Sequence, residues 1–205
     1  MSRAASVEQV LNTRFRLMPF EGEWLDSIGC PEITGSWIIW GNSGNGKTRF
    51  ALQLCKYLSQ FGKVAYNSLE EGISESLRKA LQETNMIQAA RRFTVLDRES
   101  IPDLIDRLDK RKSADIVCID SLQYSDLNYK EYKSLKERFP QKLFIYISHA
   151  DGRNPDGRVA KKVKYDSNVK VFVEGFQAQV TSRYGGGVPF IVWREGYERY
   201  NSESI

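Results

Sequence analysis

The sequence predicts an α/β fold with a mainly parallel central sheet, flanked by helices and extended by antiparallel strands near the C-terminus. Apolar segments alternate with segments of helical spacing through residue 149, an order typical of a parallel sheet covered on both faces. After residue 168, strand-like segments follow one another with short turns, which indicates antiparallel pairing. A glycine-rich motif at residues 41–48 lies between the first strand-like and the first helical segment.

The predicted strands are short apolar runs that end at polar or glycine-rich segments. The run at residues 36–40 is read as a buried strand because it is apolar and leads into the glycine motif. The run at residues 143–147 is the most strand-like of all. The other predicted strands cover residues 64–66, 93–96, 115–120, 169–173, 178–180 and 190–193.

The predicted helices carry apolar residues three or four positions apart. Residues 47–61 place Phe50, Leu54 and Leu58 on one face, and Gly62 ends the helix. Residues 101–111 begin with Ser100 and Pro102, which suit a helix start. The other predicted helices cover residues 73–84 and 129–139.

The length and composition indicate an ordinary globular protein. A chain of 205 residues suits one domain, which we place at residues 15–205 after a flexible N-terminal arm at residues 1–14. The net charge of +4 is compatible with an anionic partner without requiring one. Three widely spaced cysteines favour a reducing, cytoplasmic setting. With no apolar run near ~18 residues, we expect no membrane partner.

The glycine motif matches G-x-x-x-x-G-K-[ST], the phosphate-binding P-loop. Its backbone N–H groups and the following helix N-terminus are suited to the phosphates of ATP. The lysine reaches the β- and γ-phosphates, and the threonine hydroxyl coordinates Mg²⁺. The predicted nucleotide-binding residues are Gly41, Asn42, Ser43, Gly44, Asn45, Gly46, Lys47, Thr48 and Arg49.

A second metal-side residue is predicted at the end of a neighbouring strand. Residues 115–120 form an apolar run that ends in a carboxylate, Asp120. A P-loop ATPase needs such an acid to hold Mg²⁺, usually through water. Strands that end in aspartate are common as turn or capping residues, so the prediction depends on the P-loop upstream. ATP and Mg²⁺ are therefore the expected cofactors, with Thr48 and Asp120 on the metal.

Four further segments resemble the RecA-like ATPases of the DnaB and RadA branch, which includes KaiC-like modules. They are YNSLEE at residues 66–71, CIDSLQ at 118–123, FIYISH at 144–149 and TSRYGG at 181–186. The resemblance implies that Glu70 activates the attacking water and that His149 senses the γ-phosphate. It also implies that Arg183 reaches the γ-phosphate of a neighbouring subunit in a ring or filament. Thr181 stands where the family carries a lysine, so one of two such contacts is missing.

The resemblance also implies a DNA contact in the segment after His149. Residues 150–170 carry six basic and three acidic residues, and glycines and a proline suggest a mobile first half. Such a segment suits weakly sequence-specific contact with a single-stranded DNA backbone, although a solvated charged face is the alternative. The candidates are Arg153, Arg158, Lys161, Lys162 and Lys164.

The predicted function is therefore ATP hydrolysis that acts on DNA in recombination or replication, as an oligomer. The alternative is a KaiC-like switch that uses ATP to recruit or load a partner protein without DNA binding. A small-molecule P-loop kinase is a third possibility, which the order of segments after Asp120 disfavours. Tyr124 and Tyr129 are read as packing residues rather than base-stacking ones, and the four tryptophans as core or rim residues.

Overall fold

The computed structural model describes residues 4–202. Their strands are β1 Gly35–Gly41, β2 Val64–Ser68, β3 Phe93–Asp97, β4 Ile116–Asp120, β5 Leu143–Asp151, β6 Asn154–Pro155, β7 Val169–Glu174, β8 Gln177–Ser182 and β9 Phe190–Ile191. They lie in the order β3-β2-β4-β5-β1-β7-β8-β9, and β6 pairs with the end of β5. Pairing is parallel from β3 to β7 and antiparallel beyond it. The predicted fold class is confirmed.

The helices pack on both faces of this sheet. They are α1 Val7–Leu11, α2 Gly22–Ile28, α3 Lys47–Leu58, α4 Glu75–Glu83, α5 Ile101–Leu108, α6 Tyr129–Arg138, α7 Arg158–Asp166 and α8 Arg194–Ser202. Single 3-10 turns follow α4 and β4, at Met86–Ala89 and Leu122–Tyr124.

Strand β1 shows how the sheet separates two hydrophobic cores. Trp37 and Ile39 point into one core, while Ile38 and Trp40 point into the other, because successive side chains of a strand face opposite ways. All four are buried. A strand buried on both faces reads as a continuous apolar run, which explains why residues 36–40 are so apolar.

The parallel strands gather their carboxyl ends at one edge of the sheet. Gly41 at the end of β1 pairs with His149 of β5, and Ser68 at the end of β2 pairs with Asp120 of β4. Helix α3 fixes the loop after β1 because Phe50, Leu54 and Leu58 are fully buried in the first core. The residues that follow these strands therefore meet at the carboxyl edge, where open α/β sheets bind ligands.

The segment after His149 is more regular than the sequence suggests. Strand β5 runs on to Asp151 and turns back through β6, and residues 158–166 form helix α7. Ala160 and Val163, one helical turn apart, are buried in the second core. The expectation of a mobile loop was wrong for this half of the segment, because that apolar pair holds the helix against the sheet.

The C-terminal segment also differs from its prediction. The predicted strand at 190–193 is only Phe190–Ile191, and Trp193 leads directly into helix α8, which the sequence reading missed. In the N-terminal arm, Ser6 and Gln9 form a capping box on α1, which buries none of its residues. Residues 1–3 of the predicted arm and 203–205 of the predicted domain lie outside the described residues.

Candidate active site

Three glycines give the P-loop its shape for different physical reasons. Gly44 and Gly46 have φ angles of 75° and 97°, a conformation that glycine adopts without the steric strain of a side chain. Gly41 packs against β7, where a Cβ atom would lie 2.1 Å from the carbonyl oxygen of Val173. The loop between Gly41 and the start of α3 therefore turns tightly enough to direct its N–H groups at an anion.

Asn45 ties the P-loop to the turn between β7 and β8. Its Oδ1 accepts a hydrogen bond of 2.8 Å from the backbone N–H of Gly175, and its carbonyl oxygen accepts one of 3.2 Å from Phe176. Its Nδ2 donates to the carbonyl oxygen of Ser43 at 3.0 Å. These bonds set the loop in its shape from the protein side.

Lys47 begins α3 and projects into the cleft beside the loop. Its Nζ donates a 2.9 Å hydrogen bond to the carbonyl oxygen of Asn42. Burial lowers the pKa of Lys47, and the nearby carboxylates of Asp120 and Glu70 act in the opposite direction. A lysine held this way lies close to carboxylates and is available to an incoming phosphate.

Asp120 ends β4 at the base of the same cleft. Burial raises the pKa of Asp120 to about 6, against the hydrogen bond that its Oδ2 accepts from the Tyr66 hydroxyl. Glu70 and Glu71 also raise this pKa, whereas Lys47 lowers it. A crowded carboxylate without an ion-pair partner among the described residues is a fitting place for a divalent cation.

The donor set fits Mg²⁺ rather than a metal held wholly by protein. The described residues contain no cluster of three or more histidine, cysteine, aspartate or glutamate side chains able to hold a metal ion. Thr48, in the first turn of α3, and Asp120 line one cleft and supply hydroxyl and carboxylate oxygens. Mg²⁺ characteristically uses one or two such protein ligands, together with substrate phosphates and water.

Glu70 lies across the cleft from Lys47, in the loop that follows β2. Its Oε2 lies 2.9 Å from Nε2 of His149 and accepts a 3.1 Å hydrogen bond from the hydroxyl of Ser121. The backbone N–H of Glu70 donates to the carbonyl oxygen of Asp120 at 3.1 Å. The acid, its histidine partner and the metal-side residue are therefore parts of one hydrogen-bonded unit.

Gln123 connects His149 to the end of β4 and to the segment that follows. Its Oε1 accepts a 3.3 Å hydrogen bond from the backbone N–H of His149, and its Nε2 donates to the Ser148 hydroxyl at 2.9 Å. The same Nε2 donates to the carbonyl oxygen of Asp156 at 3.1 Å. This residue links the catalytic end of the sheet to the β5–β6 hairpin.

The cleft has an aromatic side that the sequence reading missed. Trp193 and Phe176 line it together with the P-loop, in a space of about 330 Å³. Their rings meet edge to face at 5.1 Å, and the guanidinium of Arg49 lies 5.1 Å from the Trp193 ring centre. Arg49 also pairs with Glu83 at 3.6 Å. Trp193 comes about 150 residues after the P-loop, so no local pattern points to it.

Structural comparison identifies the architecture. The ATPase domain of a DnaB-like helicase superposes with a TM-score of 0.52 at 16% identity, covering 80% of this chain and 83% of that domain. The flagellar accessory protein FlaH from Methanocaldococcus jannaschii superposes with a TM-score of 0.58 at 14% identity, covering 86% and 94%. This chain has a RecA-like fold. No protein-family model and no curated protein matches its sequence.

Within the RecA-like fold, Arg183 lies far from the P-loop of its own chain. It follows Ser182, which pairs with Val169, and Val169 in turn pairs with Trp37 near the start of β1. Four residues of β1 separate Trp37 from Gly41, about 13 Å along the strand. Arg183 and Thr181 are exposed at this amino end of the sheet, so any contact of Arg183 with a γ-phosphate requires a second molecule.

The candidate DNA-binding residues lie on the β5–β6 hairpin and on α7, beside the carboxyl edge. Several are held by neighbours: Lys161 pairs with Asp151 at 3.2 Å, and the Lys164 ammonium lies 4.6 Å from the Trp40 ring centre. Burial lowers the pKa of Lys164. The exposed members are Arg153, Arg158, Lys161 and Lys162. No helix in the described part of the chain is long and apolar enough to cross a membrane.

Proposed function

We propose that this protein is a Mg²⁺-dependent ATPase. One observation carries the proposal: Lys47, Thr48, Glu70, Asp120 and His149 line a single cleft at the carboxyl edge of the sheet. A P-loop lysine, two oxygen ligands and a carboxylate with a histidine partner are the parts that phosphoryl transfer to water requires.

Each residue has a separate role in the proposed reaction. The P-loop N–H groups and Lys47 hold the phosphates, and Thr48 and Asp120 hold Mg²⁺, which would neutralise charge on the β- and γ-phosphate oxygens. Glu70 orients a water molecule and accepts its proton as the water oxygen bonds to the γ-phosphorus. The bond from that phosphorus to the bridging oxygen breaks, leaving ADP and inorganic phosphate.

His149 is proposed to report the state of the γ-phosphate to the rest of the chain. Its ring contacts Glu70, while its backbone N–H is bound by Gln123, which also holds the carbonyl of Asp156. A shift of Glu70 on hydrolysis would therefore act on the β5–β6 hairpin through this chain of hydrogen bonds. That hairpin leads into α7 and its exposed basic residues.

The proposed activity acts on single-stranded DNA, with subunits assembled into a ring or filament, in recombination or replication. The basic residues of the hairpin and α7 support the DNA contact, since they lie at the end of the hydrogen-bonded chain from His149. The position of Arg183, remote from its own P-loop, supports assembly. Contacts of this kind go to the phosphate backbone and carry little sequence information.

A second candidate is an ATP-dependent switch that recruits a partner protein. The likeness to FlaH, a flagellar accessory protein, favours it, because that chain is covered over 94% of its length. The rate of ATP hydrolysis with and without single-stranded DNA separates the two candidates. Stimulation that fades as salt is raised supports the DNA-acting enzyme, while an unchanged rate and no salt-sensitive binding support the switch.

A further inference from the structure

A second concentration of positive charge lies at the amino edge of the sheet, remote from the ATP cleft. It consists of six exposed residues in three neighbouring loops: Lys63 before β2, Arg91 and Arg92 before β3, and Lys110, Arg111 and Lys112 before β4. Their combined charge of +6 exceeds the net +4 of the whole chain. Strand β2 alone separates this edge from the site by about 13 Å.

This charge is not neutralised locally. None of the six forms an ion pair within 4.0 Å among residues 4–202. The Lys63 ammonium donates instead to the carbonyl of Lys112 at 3.1 Å, and the Arg92 guanidinium donates to the carbonyl of Gln60 at 3.0 Å. These bonds fix the side chains in place and leave their charge uncompensated.

The nearby carboxylates are already engaged by other basic residues. Glu99 binds Arg107 at 2.6 Å and Asp109 binds Arg138 at 2.5 Å. Asp115 pairs with Arg16 at 3.6 Å and accepts a hydrogen bond from the backbone N–H of Lys63. The six cations therefore repel one another without an internal partner, a cost to stability that an external anion would remove.

The shape of this edge indicates the kind of anion. Lys63, Arg91, Arg92, Arg107 and Lys112 surround a recess of about 290 Å³. The loops that carry them belong to strands adjacent in the sheet, in the order β3-β2-β4, so the cations are spaced at intervals of about 5 Å. A row of fixed charges around a recess suits a chain of phosphates, whereas a flat bilayer cannot enter it.

We propose that this recess binds the sugar–phosphate backbone of a nucleic acid, at a site separate from both the ATP cleft and the basic face of α7. With no exposed aromatic ring among the residues of the recess, contact is with phosphates rather than stacked bases. The proposal goes beyond ATP hydrolysis and does not depend on it. A strand held at the amino edge would lie on the opposite side of the sheet from one held at α7.

The test compares two double variants of equal charge change. Arg91→Gln/Lys112→Gln removes two charges from the recess, and Lys130→Gln/Lys133→Gln removes two from exposed positions of α6. Binding of a fluorescent single-stranded oligonucleotide is measured by anisotropy across a salt series without nucleotide. The recess variant should bind roughly tenfold more weakly at low salt, with a log–log salt slope smaller by about 1 to 2.

The α6 variant should bind as the unmodified protein does. Equal affinity and slope in all three proteins would overturn the proposal, as would loss of vesicle binding without loss of oligonucleotide binding in a parallel phosphatidylserine sedimentation assay. ATP hydrolysis without DNA should be the same in all three. Failure of the recess thus remains distinct from failure of the ATPase.

Discussion

Glu70 and His149 come from different strands of the sheet and meet side chain to side chain, with Oε2 and Nε2 2.9 Å apart. Both remain partly open to the cleft, at 34% and 40% side-chain exposure. A carboxylate oriented on one side by a histidine and open on the other is placed to bind a water molecule. This pair is the core of the proposed hydrolysis.

Replacing Glu70 with glutamine removes the proposed proton acceptor and keeps the shape of the side chain. We expect Glu70→Gln to lower kcat about 10²–10⁴-fold, with ATP affinity nearly unchanged. Steady-state hydrolysis and titration with a fluorescent ATP analogue measure the two quantities. Glu71→Gln is the matched control, since it changes the same charge one residue away. Equal losses in both variants would contradict the assignment of Glu70.

Asp120 should limit stability as well as support catalysis. Its pKa is raised in the fold to about 6, so the folded state favours the protonated acid. That contribution is complete below the unfolded pKa of about 4 and is lost as pH rises through 6. Without Mg²⁺ and nucleotide, Asp120→Asn should therefore raise the unfolding free energy at pH 7 by about 1–3 kcal/mol.

The same Asp120→Asn variant should lose Mg²⁺-dependent hydrolysis. Chemical denaturation at pH 4 and pH 7 measures the stability effect, and the gain should be smaller at the lower pH. A variant less stable than the unmodified protein at pH 7 would show that the ionised carboxylate is well accommodated, contrary to the raised pKa.

Trp193 should report nucleotide binding. It lines the P-loop cleft and is partly exposed, whereas Trp37 is buried in the core. We expect ATP to change the intrinsic fluorescence, and Trp193→Phe to remove most of that change. Trp193→Ala should also weaken ATP binding by about 1 kcal/mol or more through lost aromatic contact. A fluorescence change that persists in Trp193→Phe would place the reporter elsewhere.

Arg183 should act on a neighbouring molecule. Arg183→Ala should reduce hydrolysis by about 10³-fold if it stabilises transferred phosphate charge, while ATP binding survives. Mixing it with Lys47→Ala, which lacks a working P-loop but keeps Arg183, should restore part of the activity. Normal turnover by Arg183→Ala alone would remove the role in trans, and a mixture without activity would argue against shared sites.

Much of the architecture follows from local pattern in the sequence. The P-loop and the apolar run that ends at Asp120 are contiguous motifs, and the parallel sheet that brings their strands to one edge follows from alternating segments. The fold places Glu70, Asp120 and His149 around the cleft because each follows or ends a parallel strand.

The rest depends on contacts between distant residues. Helix α7 was hidden because Gly152, Pro155 and Gly157 suggest a loop, although Ala160 and Val163 carry helical spacing. Trp193 belongs to the site only because α8 folds back onto the P-loop, where a Cβ on Gly196 would overlap its ring at 2.3 Å. The charge of the amino edge is spread over three loops and becomes one surface only in the sheet.

Release of inorganic phosphate from ATP tests the central claim most directly. The purified protein should release phosphate with Mg²⁺ present, at a rate that falls to background with a chelator or with Lys47→Ala. The reaction should yield ADP and free phosphate in equal amounts, with no other phosphorylated product. Tight ATP binding without phosphate release, or transfer of the phosphate to another acceptor, would contradict the account.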